Sequence, residues 1–163
     1  MAFDAFLKVD SIDGESTDDK HAKWIELVSY SHGLNQPGSA ASATGGRSAE
    51  RVNVDPFVVT KYIDASTPGL SLACCDGRTL KEVKIELCLA SGDKHPYMTY
   101  FLTNAMVSSV HPSGSSGAAD RPTETVSFSF DSIEWTYTPM GTDGKAGSKI
   151  GPMGWTLDKN KAK

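Results

Sequence analysis

Cysteine is scarce in this 163-residue chain: Cys74, Cys75 and Cys88, an odd number. Adjacent Cys74 and Cys75 are poorly placed to bridge each other. The three thiols therefore make no disulfide framework and read as small apolar side chains of a reducing compartment. No CxxC and no close His–Cys spacing is present, so no zinc motif is written in the sequence. No apolar run is long enough to span a bilayer. The opening residues MAFDAFLKVD lack the basic-then-apolar pattern of a secretory leader. Positive charge is also in short supply. Lys plus Arg number 16 against 20 Asp plus Glu, a net charge of −4, and no Lys/Arg cluster offsets that balance, which argues against a nucleic-acid partner. The basic run Lys159–Lys163 reads as a frayed, solvated end, with 158–163 a flexible tail.

Catalytic signatures are missing as well. His21, His32, His95 and His111 are scattered, with no HExxH and no paired spacing. No GxSxG elbow occurs, and no GxGxxG or GxxxxGK follows a strand. Glu15, Asp18 and Asp19 form an acidic cluster without the regular oxygen alternation of a calcium loop. It suits a solvated face or hydrogen bonds to loop backbone. The residues therefore assign no catalytic centre, no cofactor and no metal, and the chain is expected not to be an enzyme.

What the chain does have is alternation. Phe3, Ala5, Leu7 and Val9 share one strand face. After the polar stretch GESTDDKHAK, expected to be a solvent-exposed loop, Trp24 to Ser31 reads as a strand. Trp24, Glu26, Val28 and Tyr30 take one face; Ile25, Leu27, Ser29 and Ser31 take the other. Val52 to Lys61 is a strand marked by Asp55-Pro56. Thr79 to Ser91 is the cleanest, with Val83, Ile85, Leu87 and Leu89 opposite Lys84, Glu86, Cys88 and Ala90. Tyr97 to Thr103, Ala105 to Val110 and a short Trp155 to Leu157 follow the same period. Within Val126 to Tyr137 the apolar set moves from even positions (Val126, Phe128, Phe130) to odd ones (Ile133, Trp135, Tyr137). The chain must bulge or bend at Asp131-Ser132 to keep both sets on the core.

One helix is expected after Lys61. Ser66 or Thr67 caps it, Pro68 fits its first position, and Gly77 ends it. Leu70, Ala73 and Cys74 share its inner face. Loops occupy Pro112 to Pro122 and Pro139 to Gly154. Gln36 to Arg51, QPGSAASATGGRSAER, has no large apolar residue and reads as a long excursion that either stays flexible or orders against another subunit. Eight or nine short strands and one helix make a single domain, a sandwich or closed barrel.

Several stretches together resemble the haemolysin-coregulated protein (Hcp) family of bacterial type VI secretion. They are Gly14-Glu15-Ser16-Thr17-Asp18 with His21 and Trp24-Ile25-Glu26, then Ser29-Tyr30-Ser31-His32-Gly33. The strongest runs from Thr60 to Leu70, TKYIDASTPGL. Val107-Ser108-Ser109-Val110, Asp120-Arg121-Pro122 with Glu124, Ile133-Glu134-Trp135-Thr136-Tyr137, and Gly151-Pro152 with Gly154-Trp155 follow. Nearly the whole chain is covered. The family usually carries an aromatic residue where His32 stands.

The resemblance implies a mainly β fold, a small β-barrel of two antiparallel sheets with one flanking short α-helix. It further implies a structural subunit of the secretion inner tube. Homohexameric rings stack, associate with a spike protein and a contractile sheath, and carry small effector proteins in the channel. Such a subunit is cytoplasmic during assembly and then secreted without a signal peptide. It neither binds nucleic acid nor inserts in a membrane. With the chain stopping at Lys163, no toxic domain after the barrel is expected. The 36–51 arm would reach a neighbouring copy, which makes Gln36, Ser39, Ser42, Thr44 and Arg47 candidate interface residues. Ser29 and Ser31 are candidates for lining the channel. The competing expectation is a monomeric or dimeric β-barrel that binds a small ligand or carbohydrate.

Overall fold

The alternation seen in the sequence becomes the core of a computed structural model that describes residues 2–38, 49–90 and 92–163. Inward-facing residues are Ala5, Leu7 and Val9 on β1 (Phe3–Val9), Phe57 and Val59 on β6 (Phe57–Tyr62), Val83, Ile85 and Leu87 on β7 (Leu80–Leu89), and Val126 and Phe128 on β9 (Thr123–Ser129). All are at most 5% exposed. Each large one contributes about 1.5–3 kcal/mol by leaving water.

Strand β8 (Pro96–Ser113) belongs to two sheets at once. Up to Ala105 it pairs antiparallel with β7, and over Met98 to Thr103 it also pairs with β10 (Ser132–Tyr137). From Met106 onward its partner is β9. Asn104 stands at this fork with φ 50°, a left-handed conformation that asparagine adopts more readily than most residues. The two strands expected at Tyr97–Thr103 and Ala105–Val110 are thus one strand bent between sheets. The parity slip at Asp131-Ser132 has the anticipated meaning. β9 lies in one sheet and β10 in the other, and Phe130 (8% exposed) and Ile133 (0%) both reach the core.

A second slip, at Val28, departs from expectation. β2 (Ile25–Leu27) pairs with β1, whereas β3 (Ser29–Ser31) pairs with β6. Val28 and Ser29 are both exposed although they are consecutive. The inward set therefore moves from Ile25 and Leu27 to Tyr30, which stacks on Phe57 at 5.9 Å between ring centroids. Ser29 and Ser31 face outward and do not share a face with Ile25 and Leu27.

With 25–31 taken as one bent strand, the pairings run round the core: β7 to β8, β9, β6, β3, then through Val28 to β2, β1 and back to β7. The ladder is interrupted at Val28 and its register shifts at Leu87/Cys88 and at Val107/Ser109. β10, β11 (Ile150–Thr156) and β12 (Lys161–Ala162) branch away from this circuit at β8 as an extension of the first sheet. Within the expected frayed end at 158–163, Lys161–Ala162 pair with β11 after a turn, and the expected 139–154 connection gives way to strand from Ile150 onward. A separate two-stranded ribbon, β4 (Leu34–Asn35) with β5 (Asn53–Val54), continues to a bridge between Gly38 and Ala49 at the base of the 36–51 excursion. Twelve strands lie among the described residues where eight or nine were anticipated, because corners divide longer runs and β4 and β12 add to them.

Helix α1 (Thr67–Asp76) packs against β8 and buries Leu70 and Ala73 completely. Pro68 sits in its first turn, and Gly77 closes it at φ 65° with its N–H donated to Ala73 O. Gly69 has a packing reason: a Cβ there would press on Ile12 at 3.2 Å. The expected hydroxyl cap is not made; both hydroxyls serve an ion cluster described below. The 14–23 loop is not free in solvent either. It folds into a small hairpin, Gly14 N–H to Lys23 O and Lys23 N–H to Ser16 O at 2.8 Å each, and lays His21 on the outer face of β1 and β7. Trp24 goes with it and lies outside the core, edge-on to the His21 ring.

His32 takes the place of an aromatic side chain, with Phe57, Phe130 and Tyr100 rings 5.4, 6.0 and 6.5 Å away. Neither ring nitrogen has a hydrogen-bond partner among the described residues. Burial lowers its pKa from 6.5, against the opposing pull of the nearby Asp55 carboxylate. A histidine pKa lowered by folding means the unfolded chain takes the proton first as pH falls. Stability is then full above 6.5 and is lost as pH falls below it. His32→Phe should shift stability by less than about 1.5 kcal/mol at neutral pH. It should also flatten the decline below 6.5, as read from urea unfolding midpoints across that range.

Candidate functional site

Three features stand apart from the ordinary core. The first is where the forked extension leaves the barrel. β10 and β11 carry Ile133, Trp135 and Trp155 on the face turned toward the ribbon, with Ile133 fully buried and Trp135 packed against the core. Leu34, Val52 and Val54 from the ribbon side face Ile133, Trp135 and Trp155 across a groove of about 460 Å³. Arg51 Nη2 donates to Leu157 O at 2.7 Å and ties the ribbon down. Register carries the same face further. Trp135 pairs with Met153 and Tyr137 with Ile150. Met153, Ile150 and Tyr137 are 62%, 53% and 45% exposed. An apolar strip thus runs out of the groove into water, and such patches mark contact surfaces.

The second feature is a buried ion cluster. Lys61 and Glu124 face each other across β6 and β9, at 0% and 1% exposure. Lys61 Nζ pairs with Glu124 Oε1, and also with Asp64 Oδ1 at 2.9 Å. Thr67 Oγ1 donates to Glu124 Oε1 at 2.7 Å and accepts from the Asp64 N–H at 3.1 Å. Ser66 Oγ donates to Asp64. The residues that make Thr60–Leu70 distinctive are therefore the ones that fasten the helix onto the end of the barrel.

The third is His21, 2% exposed, between Asp18 and Glu86. Its Nδ1 lies 2.8 Å from Asp18 Oδ1 and its Nε2 2.7 Å from Glu86 Oε2. The hydrogen bond with His21 holds the Asp18 carboxyl at about 2, against the opposing effect of burial. Burial, with Glu86 beside it, pushes the neighbouring Cys88 thiol up to about 12. The acidic loop cluster also makes the backbone hydrogen bonds anticipated for it, Asp18 Oδ1 accepting from the N–H groups of Lys20 and His21.

Of the residues singled out from sequence, Gln36 is exposed on the ribbon, and its side-chain amide donates to Glu50 O. Ser39, Ser42, Thr44 and Arg47 lie outside the described residues. Ser29 and Ser31 are exposed, side by side on the outer face of β3. Sequence reasoning missed the ion cluster. Its signal was a lysine at the inward position after Phe57 and Val59. It also missed the His21 site, for which linear spacing holds no signal. No helix among the described residues is long and apolar enough to cross a membrane.

The family model described as "Type VI secretion system effector, Hcp" matches residues 6–137. The chain belongs to the Hcp family. Protein hcp1 of Pseudomonas aeruginosa is 37% identical over 161 residues, 98% of either chain. A solved structure of a type six secretion system protein is similar to it with a TM-score of 0.95 at 40% identity, covering 99% of this chain and all of that one. Hcp1 from Salmonella typhimurium gives 0.78 at 30% identity, over 99% of each chain. The Hcp fold accounts for the departures from simple alternation: the corners at Val28, Asn104 and Asp131 are what let one chain wrap its own core.

In this Hcp chain Lys61→Met leaves Glu124 and Asp64 charged without their cation, and should cost about 3–5 kcal/mol. Lys61→Met with Glu124→Leu should recover most of that loss. Guanidinium unfolding of the single and double variants measures both, and a double variant no better than the single would contradict this account of the cluster.

Proposed function

We propose that this chain is the structural, non-catalytic subunit of the type VI secretion inner tube. Six copies close into a ring, rings stack, small effector proteins travel in the channel, and the tube is expelled into a target cell. The spike protein and contractile sheath are its other partners, and it passes from the cytoplasm to the exterior. The observation that carries this reading is the apolar strip of Tyr137, Ile150 and Met153, continuous with the groove under the ribbon. Family membership along nearly the full length gives it direction.

A ring of identical copies needs a heterologous contact that closes on itself. The strip supplies one side of such a contact, since covering each of its large side chains is worth about 1.5–3 kcal/mol. The arm that begins at Gln36 supplies the reach, with Ser39, Ser42, Thr44 and Arg47 at its contact with the neighbour. Ser29 and Ser31 present small polar groups, which suit a water-filled channel wall.

Deleting Ser39 to Arg47 should leave the circular-dichroism spectrum and melting curve of the barrel intact while reducing the sedimenting species to smaller assemblies. An unchanged sedimentation profile would refute the role given to the arm. A cysteine placed at Ser31 should react with a bulky thiol reagent in the isolated ring, and protection there would remove Ser31 from the channel wall.

A further inference from the structure

Strand register places Phe6 opposite Glu86 and Asp4 opposite Cys88 on the outer faces of β1 and β7. The 14–23 loop sets His21 over them. Its ring lies parallel to Phe6 at 4.2 Å and meets the edge of Trp24 at 4.8 Å, so it has little freedom to turn. Nε2 points at Glu86 Oε2 (2.7 Å) and Cys88 Sγ (3.8 Å). These three ligand atoms lie within 4.8 Å of one another, on three buried residues. On the far side of the ring Nδ1 meets Asp18 Oδ1 at 2.8 Å. A carboxylate behind a histidine is the arrangement that orients metal-binding imidazoles and fixes Nε2 as the ligand atom.

We propose that His21, Glu86 and Cys88 bind a zinc-class divalent cation that clasps the 14–23 loop onto the sheet. Imidazole, carboxylate and thiolate together suit zinc rather than magnesium or calcium. Three protein ligands leave a fourth position to water. Donors on a tetrahedral zinc at about 2.0–2.3 Å stand roughly 3.3–3.6 Å apart. Cys88 is already close to that separation from Nε2, and Glu86 has to withdraw by about half an ångström.

The charges balance. Without the cation, an imidazole held between two carboxylates needs a donated proton at each nitrogen, and Cys88 is a thiol. The cation replaces the Nε2 proton and the Cys88 proton, releasing both to solvent, and the site keeps the same net charge. Lys84 remains on Glu86 Oε1 at 2.6 Å, and Lys94 bridges Asp18 and Asp4 at 3.2 and 3.3 Å. His21 and Cys88 stand 67 residues apart, which is why no metal spacing is visible in the sequence.

Titration of the full, tag-free chain with Co²⁺ tests the site, because a cobalt–thiolate bond gives a near-ultraviolet charge-transfer band that nitrogen and oxygen ligands do not. The expected result is one Co²⁺ per chain with that band, displaced by Zn²⁺ and absent in Cys88→Ser. Asp18→Asn should keep the band but weaken affinity about 10–100-fold. Zn²⁺ should raise the melting temperature of the unsubstituted chain and not that of Cys88→Ser. No thiolate band in the unsubstituted chain overturns the proposal, and this result does not depend on any variant folding. A band that survives in Cys88→Ser, through Cys74 or Cys75, overturns it equally.

Discussion

Strand β8 has to satisfy hydrogen bonds in two sheets, and the remainder of the fold follows from how it does so. At Asn104 its partner on one side changes from β10 to β9. From that point β9 turns back to close the core, while β10, β11 and β12 continue outward. The part that wraps the core pairs its strand edges except at the Val28 corner, edges which a chain this rich in strands otherwise leaves open to aggregation. The extension carries Trp135 and Trp155 to the margin of the core, where they line a groove with the ribbon. The wrapped core and the exposed apolar face therefore part at the same residue.

Polar groups are buried at the two places where an accessory element meets the barrel. Lys61, Glu124, Asp64 and Thr67 hold the helix at one place. His21 with Asp18 and Glu86 holds the first loop on the outer face of β1 and β7. Burying such charges gains little over apolar packing, but a mismatched partner is strongly penalised. The clusters thus specify where the helix and the loop dock more than they add to total stability.

Much of this was legible in the sequence. Alternation located the inward residues of β1, β7 and β9, and the change of parity before Ile133 revealed the corner at Asp131. The corner at Val28 stayed hidden because Ser29 and Ser31 are small and polar and carry no parity of their own. The ribbon and β12 were missed because two-residue strands leave no periodic trace. His21 looked like a loop residue because burial there depends on Glu86, which is distant in sequence. The helix was placed correctly from Pro68 and Gly77. Its capping was misjudged because local hydroxyls were claimed by Asp64 and Glu124, the latter known only through the pairing of β6 with β9.

The central claim is that the exposed strip and the arm exist to join copies of this chain. Light scattering on a sizing column, with negative-stain images of the same peak, tests it most directly. The account predicts a mass near six chains and annular particles with an open centre. A single-chain mass at micromolar concentration, with no rings in the images, would contradict it.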